Sequence, residues 1–114
     1  MNVCRLSQAD LPALLDLYRH LHATDDPLPS PGRVDEIWQE IIDNDRIRYF
    51  GAFVADALVA SCTIAIVPNL TRGCRPYGVI ENVVTHVACR KQGHARALLH
   101  TALAFGWENG CYKI

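Results

Sequence analysis

The sequence lacks the marks of several protein classes, and each absence excludes something. No apolar run approaches the length needed to span a bilayer, so no transmembrane helix is expected. The opening stretch, MNVCRLSQAD, has no apolar core of the kind a secretory signal carries. There is no C-x-x-C pair, and Cys4, Cys62, Cys74, Cys89 and Cys111 are odd in number and widely spaced. That spacing argues against zinc and against a disulfide framework; free thiols in a reducing cytoplasm are the expectation. His20 and His22 stand two apart on a helical stretch, point to different faces and make no metal site on their own. No sign of charge dominates: 11 basic against 12 acidic residues give a formal net charge of -1. Nucleic acid and anionic membrane surfaces both call for a basic excess, so neither is expected as a partner. Internal repeats and low-complexity segments are missing too. So are the two best-known phosphate loops, G-x-x-x-x-G-K-[ST] and G-x-G-x-x-G.

What is present is a globular composition. Half of the 114 residues are hydrophobic (50%) and a fifth are charged (20%), which fits one domain over residues 1–114. Residues 2–6 read as a first strand. Ser7 with Asp10 three residues later resembles a capping box with Asp in place of Glu. Leu11, Leu14, Leu15, Tyr18 and Leu21 keep helical spacing, which predicts a helix over about 8–22. A loop dense in proline and acid, ATDDPLPSPG, separates it from a second helix over about 33–43 with Val34, Ile37, Trp38, Ile41 and Ile42 as its stripe. RIRYFGAFV (46–54) and LVASCTIAIV (58–67) read as a hairpin closed by Asp56 and Ala57. YGVIENVVTHV (77–87) is a further strand, apolar enough to be expected away from an exposed edge. Residues 93–109 predict a third helix, ended by Asn109 and Gly110, and CYKI begins an extended segment. The order β-α-α-β-β-β-α-β is an α/β (α+β) arrangement. It implies a mixed, mostly antiparallel sheet flanked by helices, with a parallel final strand.

The chemistry concentrates at the junction after the strand 77–87, in CRKQGHARALL (89–99). The first N–H groups of a helix lack intrahelical partners and carry the positive end of its dipole, which suits a phosphate. Gly93 removes a Cβ from the approach, and Arg90, Lys91 and Arg96 add charge at the mouth. A solvated basic helix start is the bland alternative.

RKQGHA (90–95) resembles the R-x-x-G-x-G/A motif of the GNAT superfamily of N-acetyltransferases, with Arg90, Gly93 and Ala95 at the motif positions. VIENVVTHVACR before it looks like the family's fourth strand, and ALLHTALAFGWENGCYKI after it looks like the third helix and the start of the fifth strand. The resemblance implies an acyl-CoA N-acyltransferase-like fold and acetyl-CoA as donor. It puts the pyrophosphate on the backbone of Lys91, Gln92, Gly93, His94, Ala95 and Arg96, beside Arg90. The pantetheine arm is expected along Val83, Val84 and Thr85, with an N–H near Val83 or Val84 as oxyanion donor. Transfer to a primary amine, on a small molecule or a peptide, needs a group that takes a proton. Glu81 is the candidate base, set in an apolar strand where a carboxylate is costly unless it has a use or a partner. The alternative for Glu81 is a structural carboxylate. A bulge is expected by resemblance at this strand, and without one Asn82 faces away from Glu81.

Four other groups near the junction carry weaker claims. His86 is a lesser base candidate and reads better as a polar strand-end residue. His94 is expected to contribute only its N–H. A covalent route through Cys89 is discounted in favour of direct transfer. Asp25 and Asp26 are either attractors of a cationic amine or a solvated loop. The family pattern goes on after the fifth strand, with a helix that often carries the tyrosine acid and two more strands. The domain is therefore expected to be incomplete at its C-terminus, the general acid is not among these residues, and a homo-oligomer could complete the open sheet edge. The alternative function is a non-catalytic CoA-binding domain or an inactive fragment; an anion-binding module unrelated to CoA is a third.

Overall fold

Four strands pair in the order in which the chain makes them. The computed structural model describes residues 1–114. It contains β1 (Asn2–Arg5), α1 (Leu11–Leu17), α2 (Pro31–Asp43), β2 (Ile47–Val54), β3 (Ala57–Val67), β4 (Tyr77–Thr85) and α3 (His94–Glu108). The sheet order is β1-β2-β3-β4, and every pair is antiparallel. No helix is long and apolar enough to cross a membrane.

Local chemistry sets the element ends. The Asp10 carboxylate accepts from the Ser7 N–H (2.7 Å) and the Ser7 hydroxyl (3.0 Å), the capping arrangement read from the sequence. The predicted helix 8–22 is tighter at both ends than expected, since Gln8–Asp10 and Tyr18–His20 are 3-10 turns around α1. Ser30 caps α2 by accepting from the Arg33 N–H at 3.3 Å, and Pro31 takes the first helical position. Ala55 and Asp56, not Asp56 and Ala57, turn the β2–β3 hairpin. Their φ values of 47° and 66° are those of a two-residue turn with both central residues left-handed. At the end of α3 the Cys111 N–H bonds to the Gly106 carbonyl (3.1 Å) and the Gly110 N–H to that of Trp107 (3.0 Å), with Gly110 at φ 83°. That is a Schellman stop, so the Asn109-Gly110 signal acts as read.

The two faces of the sheet are covered differently. α3 lies on one face, where Leu98 and Ala102 pack fully buried against Ala52, Ala60, Cys62 and Ile64. α1 and α2 cover the other, around Leu6, Leu14 and Trp38 with Tyr18, Tyr49 and Leu58 against them. Burying one leucine of this kind contributes about 1.5–3 kcal/mol, so the α3 face carries much of the stability.

Two expectations change. β4 is an edge strand, although its apolar content argued against that; Val79 and Val83 are exposed along it. The extended C-terminal segment does not form a regular strand. It makes two backbone bonds beside the first residues of β4, Tyr112 N–H to Pro76 carbonyl (3.0 Å) and Gly78 N–H to Lys113 carbonyl (2.9 Å). Both partners advance in the same direction, so the segment lies parallel to β4 as expected. Ile114 wedges between Gly78 and Gly106, where no Cβ stands in its way.

Candidate active site

Beyond Gly78, β4 has no neighbour on its outer side, and its backbone is bent there by one extra residue. Thr63 pairs with Glu81 and Ser61 with Val84, so Asn82 and Val83 together oppose Cys62 alone. Asn82 takes φ 52°, a left-handed conformation that Asn tolerates better than most residues with a Cβ. The bulge expected by resemblance is present.

Hydrogen bonding fixes which groups look outward. Ile66 donates to the Arg46 carbonyl on the β2 side (2.8 Å), and His86 donates to the Val59 carbonyl on the β4 side (2.8 Å). By alternation the odd residues of β3 bond to β4, which ties Val84 inward opposite Ser61. Val83 is left with its backbone groups at the open edge. Of the two oxyanion candidates, Val83 alone has a free N–H by this register. The outward carbonyl of Thr85 is already used, since Arg90 Nε donates to it at 3.3 Å.

Glu81 is exposed, and its carboxylate enters neither of the molecule's two ion pairs. The desolvation cost expected for a carboxylate inside this strand therefore does not arise, because the strand is an edge. Its side chain shares a face with Thr63, its direct partner, and Thr63 pairs in turn with Tyr49 on β2. The result is a row, Glu81–Thr63–Tyr49, running under α1. Tyr18 stands over it. The Tyr18 and Thr63 hydroxyls are near neighbours that interact with each other, short of good hydrogen-bond geometry, and have no other partner. Burial, with Tyr49 adding to it, raises the Tyr18 phenol well above its ordinary 10.0. Tyr18 read in the sequence as one more apolar helical position. No local pattern marks its hydroxyl, because its neighbours Thr63 and Glu81 are 45 and 63 residues away (63 − 18 and 81 − 18).

At its far end β4 delivers the chain to the mouth of α3. His86 accepts from the Ala88 N–H through Nδ1 at 3.0 Å and so caps the turn Val87–Cys89. His20 stacks on it with ring centroids 4.0 Å apart. Arg90 also donates to the His20 carbonyl through Nη2 at 3.2 Å, so its guanidinium joins the end of α1 to the end of β4. Lys91 (φ 65°) and Gly93 (φ 86°) then turn the backbone left-handed into α3. No side chain caps the helix, and space is open where a Gly93 Cβ would stand. The first-turn N–H groups of His94, Ala95 and Arg96 are thus unclaimed by the protein. The His94 ring turns away and is buried, 3.0 Å from Met1 Sδ and 3.2 Å from Gln92 Oε1. Cys89 is half-buried against the α3 core.

A bulged open edge that leads into an uncapped helix mouth belongs to the acyl-CoA N-acyltransferase-like class of folds, and that is the class of this protein. The comparisons narrow it. The model of the acetyltransferase (GNAT) family matches residues 11–114, and the chain belongs to that family. A structure from Agrobacterium tumefaciens str. C58, assigned as an acetyltransferase, superposes with TM-score 0.91 at 34% identity, covering 99% of this chain and 78% of that one. A Trypanosoma brucei acetyltransferase superposes with TM-score 0.78 at 28% identity over 98% of this chain and 78% of that one. In sequence, glucosamine 6-phosphate N-acetyltransferase of Trypanosoma brucei brucei is 37% identical over 57 residues, 50% of this chain and 39% of that protein. The chain thus matches less than half the length of that curated relative.

Proposed function

We propose that this chain transfers the acetyl group of acetyl-CoA to a primary amine by direct attack. The observation that carries the reading is the continuity of the open, bulged edge of β4 with the uncapped N-terminus of α3. A donor with an extended amide-bearing arm and a pyrophosphate at one end matches that shape in both parts. The arm pairs with the free backbone edge from Ile80 to Val83, and the pyrophosphate takes the N–H groups at Gly93–Arg96. Lys91 and Arg96 supply positive charge there, while Arg90 supports the site by holding His20 and Thr85. Charge-assisted hydrogen bonds of this kind contribute about 1.5–3 kcal/mol each.

The chemistry follows from the groups at the bulge. An alkylamine of pKa near 10.4 leaves only roughly one molecule in 2,500 neutral at pH 7, so proton removal matters. Glu81 takes the ammonium proton, directly or through water. The amine lone pair then attacks the thioester carbonyl carbon and forms the C–N bond. The Val83 N–H receives the oxyanion as it develops. On collapse the C–S bond breaks and the amide carbonyl re-forms; the nitrogen sheds its remaining extra proton to water, and the CoA sulfur leaves as thiolate and takes a proton from water. Nothing in this route uses Cys89, and His86 Nδ1 is occupied by the Ala88 N–H.

The test is release of free thiol from acetyl-CoA across a panel of amines. Glu81→Gln is expected to lower kcat by about 10²–10⁴-fold with acetyl-CoA binding retained. Turnover that ignores the substitution over the whole pH range removes Glu81 as base. Acetyl-CoA binding without thiol release from any amine favours a non-catalytic CoA-binding domain.

A further inference from the structure

A pocket of about 200 Å³ opens between α1 and α2, floored by Tyr49 of β2. Leu15, Leu28, Val34, Ile37 and Trp38 form its walls, and no charged residue lines it. A 150 Å³ apolar cavity is enough to hold a benzene ring, so this one takes a single six-membered or fused ring. Its floor is the inner end of the Glu81–Thr63–Tyr49 row. Two strand spacings, roughly 9–10 Å, separate the Tyr49 and Glu81 ends of that row. Midway, the Tyr18 and Thr63 hydroxyls lie against each other under α1, sealed from solvent, while the Tyr18 ring forms the pocket wall on the side toward Glu81.

The mouth has a matching polarity. Leu15, Tyr18 and Leu28 also line a second, wider depression whose polar walls are Asp16, Asp25 and Asp26 with Arg19, His20 and His22. Arg19 pairs with Asp16 at 3.1 Å, which leaves Asp25 and Asp26 without a cation beside them. Such a rim favours a cation and disfavours a phosphate or sulfate.

We infer that the acceptor is a small primary amine carrying one ring-sized apolar group, and not a sugar phosphate. This rests on the N-acetyltransferase reading and specifies its substrate. The ring enters the α1–α2 pocket against Trp38. A short chain passes over Tyr18, which lines both the pocket and the acidic depression at its mouth. The amino group reaches Glu81 at the open edge of β4. The acetyl group passes from the CoA sulfur to that nitrogen, and the nitrogen's proton goes to Glu81.

Two measurements on the intact chain test this. The first is binding. With Trp107→Phe, an exposed residue of α3, Trp38 becomes the sole tryptophan and its fluorescence reports the pocket. A saturable change is expected with 2-phenylethylamine and none with glucosamine 6-phosphate; a signal blind to 2-phenylethylamine overturns the inference whatever the turnover. The second is catalysis. The KM for 2-phenylethylamine is expected to lie at least about tenfold below that for glucosamine 6-phosphate, the discrimination one apolar contact in a pocket provides. Leu15→Phe, which fills the pocket, is expected to raise that KM with the acetyl-CoA thermal shift unchanged. Efficient acetylation of glucosamine 6-phosphate with the apolar amine ignored overturns the acceptor assignment and leaves the acetyltransferase reading standing. Thiol release with no amine, alongside a normal Trp38 titration, strikes the acetyltransferase reading and leaves the apolar site.

Discussion

Cys62 and Thr63 are consecutive residues of β3, and they belong to two different proteins in miniature. Cys62 faces α3, sealed with Ile64, Leu98 and Ala102, and the apolar surroundings push its thiol up to about 11. Thr63 faces α1 and α2, where its hydroxyl meets only that of Tyr18, at poor geometry, and a pocket stays open. One face spends its surface on dense packing. The other keeps volume and polar groups available at a cost in stability. The difference teaches where to look for function: the looser face is also the one on which Glu81 projects from the open edge.

Core truncation breaks the comparison hardest. Leu98→Ala on the sealed face is expected to cost about 2–5 kcal/mol, because neighbours packed at crystal-like density collapse only partly into the cavity. Val34→Ala beside the pocket is expected to cost less than about 1 kcal/mol, since its side chain already borders empty space. Urea unfolding of both variants measures the contrast, and equal losses would mean that the faces are packed alike. A smaller effect comes from Tyr18→Phe. Removing a hydroxyl whose one neighbour, Thr63, is poorly aligned is expected to change stability by no more than about 1 kcal/mol. A larger loss of stability would show that the Tyr18–Thr63 pair is fully hydrogen-bonded.

The smallest effect is a gradual one with pH. The unfolded Cys62 thiol gives up its proton around its ordinary 9.0, whereas the folded thiol holds it to about 11. Between those values the unfolded chain binds fewer protons, so stability falls as pH rises. The contribution is intact below pH 9.0 and gone above about 11; Tyr18, raised from 10.0, steepens the decline at its upper end. Urea midpoints at about pH 8 and about pH 10 check the sign. Thiol labelling at the lower pH should find exposed Cys74 fast and buried Cys62 slow.

Much of the fold was legible along the chain. The Ser7–Asp10 pair, the Asn109-Gly110 stop and the stripes of α1, α2 and α3 act over a few residues each, and all appear in the structure, whereas α2 begins at Pro31 behind its Ser30 cap, two residues before the start expected at about 33. The helix mouth at Gly93 was legible for the same reason. What misled was β4. Its run of valines and isoleucine suggested an interior strand, but β4 lies at the edge of the sheet with Val79 and Val83 exposed. Glu81 was therefore singled out on a burial argument that the structure removes, although its place beside the bulge keeps it the candidate base. Arg90 was read as charge for the mouth, and its guanidinium instead bridges two carbonyls.

By itself the sequence determined the order of the elements, their caps and stops, the family motif Arg90–Ala95 and an uncapped helix start. Those depend on periodicity and on hydrogen bonds that close within a turn. Only the tertiary structure decided which strand lies at the edge, that Val83 rather than Val84 has the free N–H, and that Glu81, Thr63, Tyr49 and Tyr18 share one face. Those depend on register. A single extra residue at Asn82 resets the alternation of a whole strand, and pairing across the sheet joins residues that no local pattern connects.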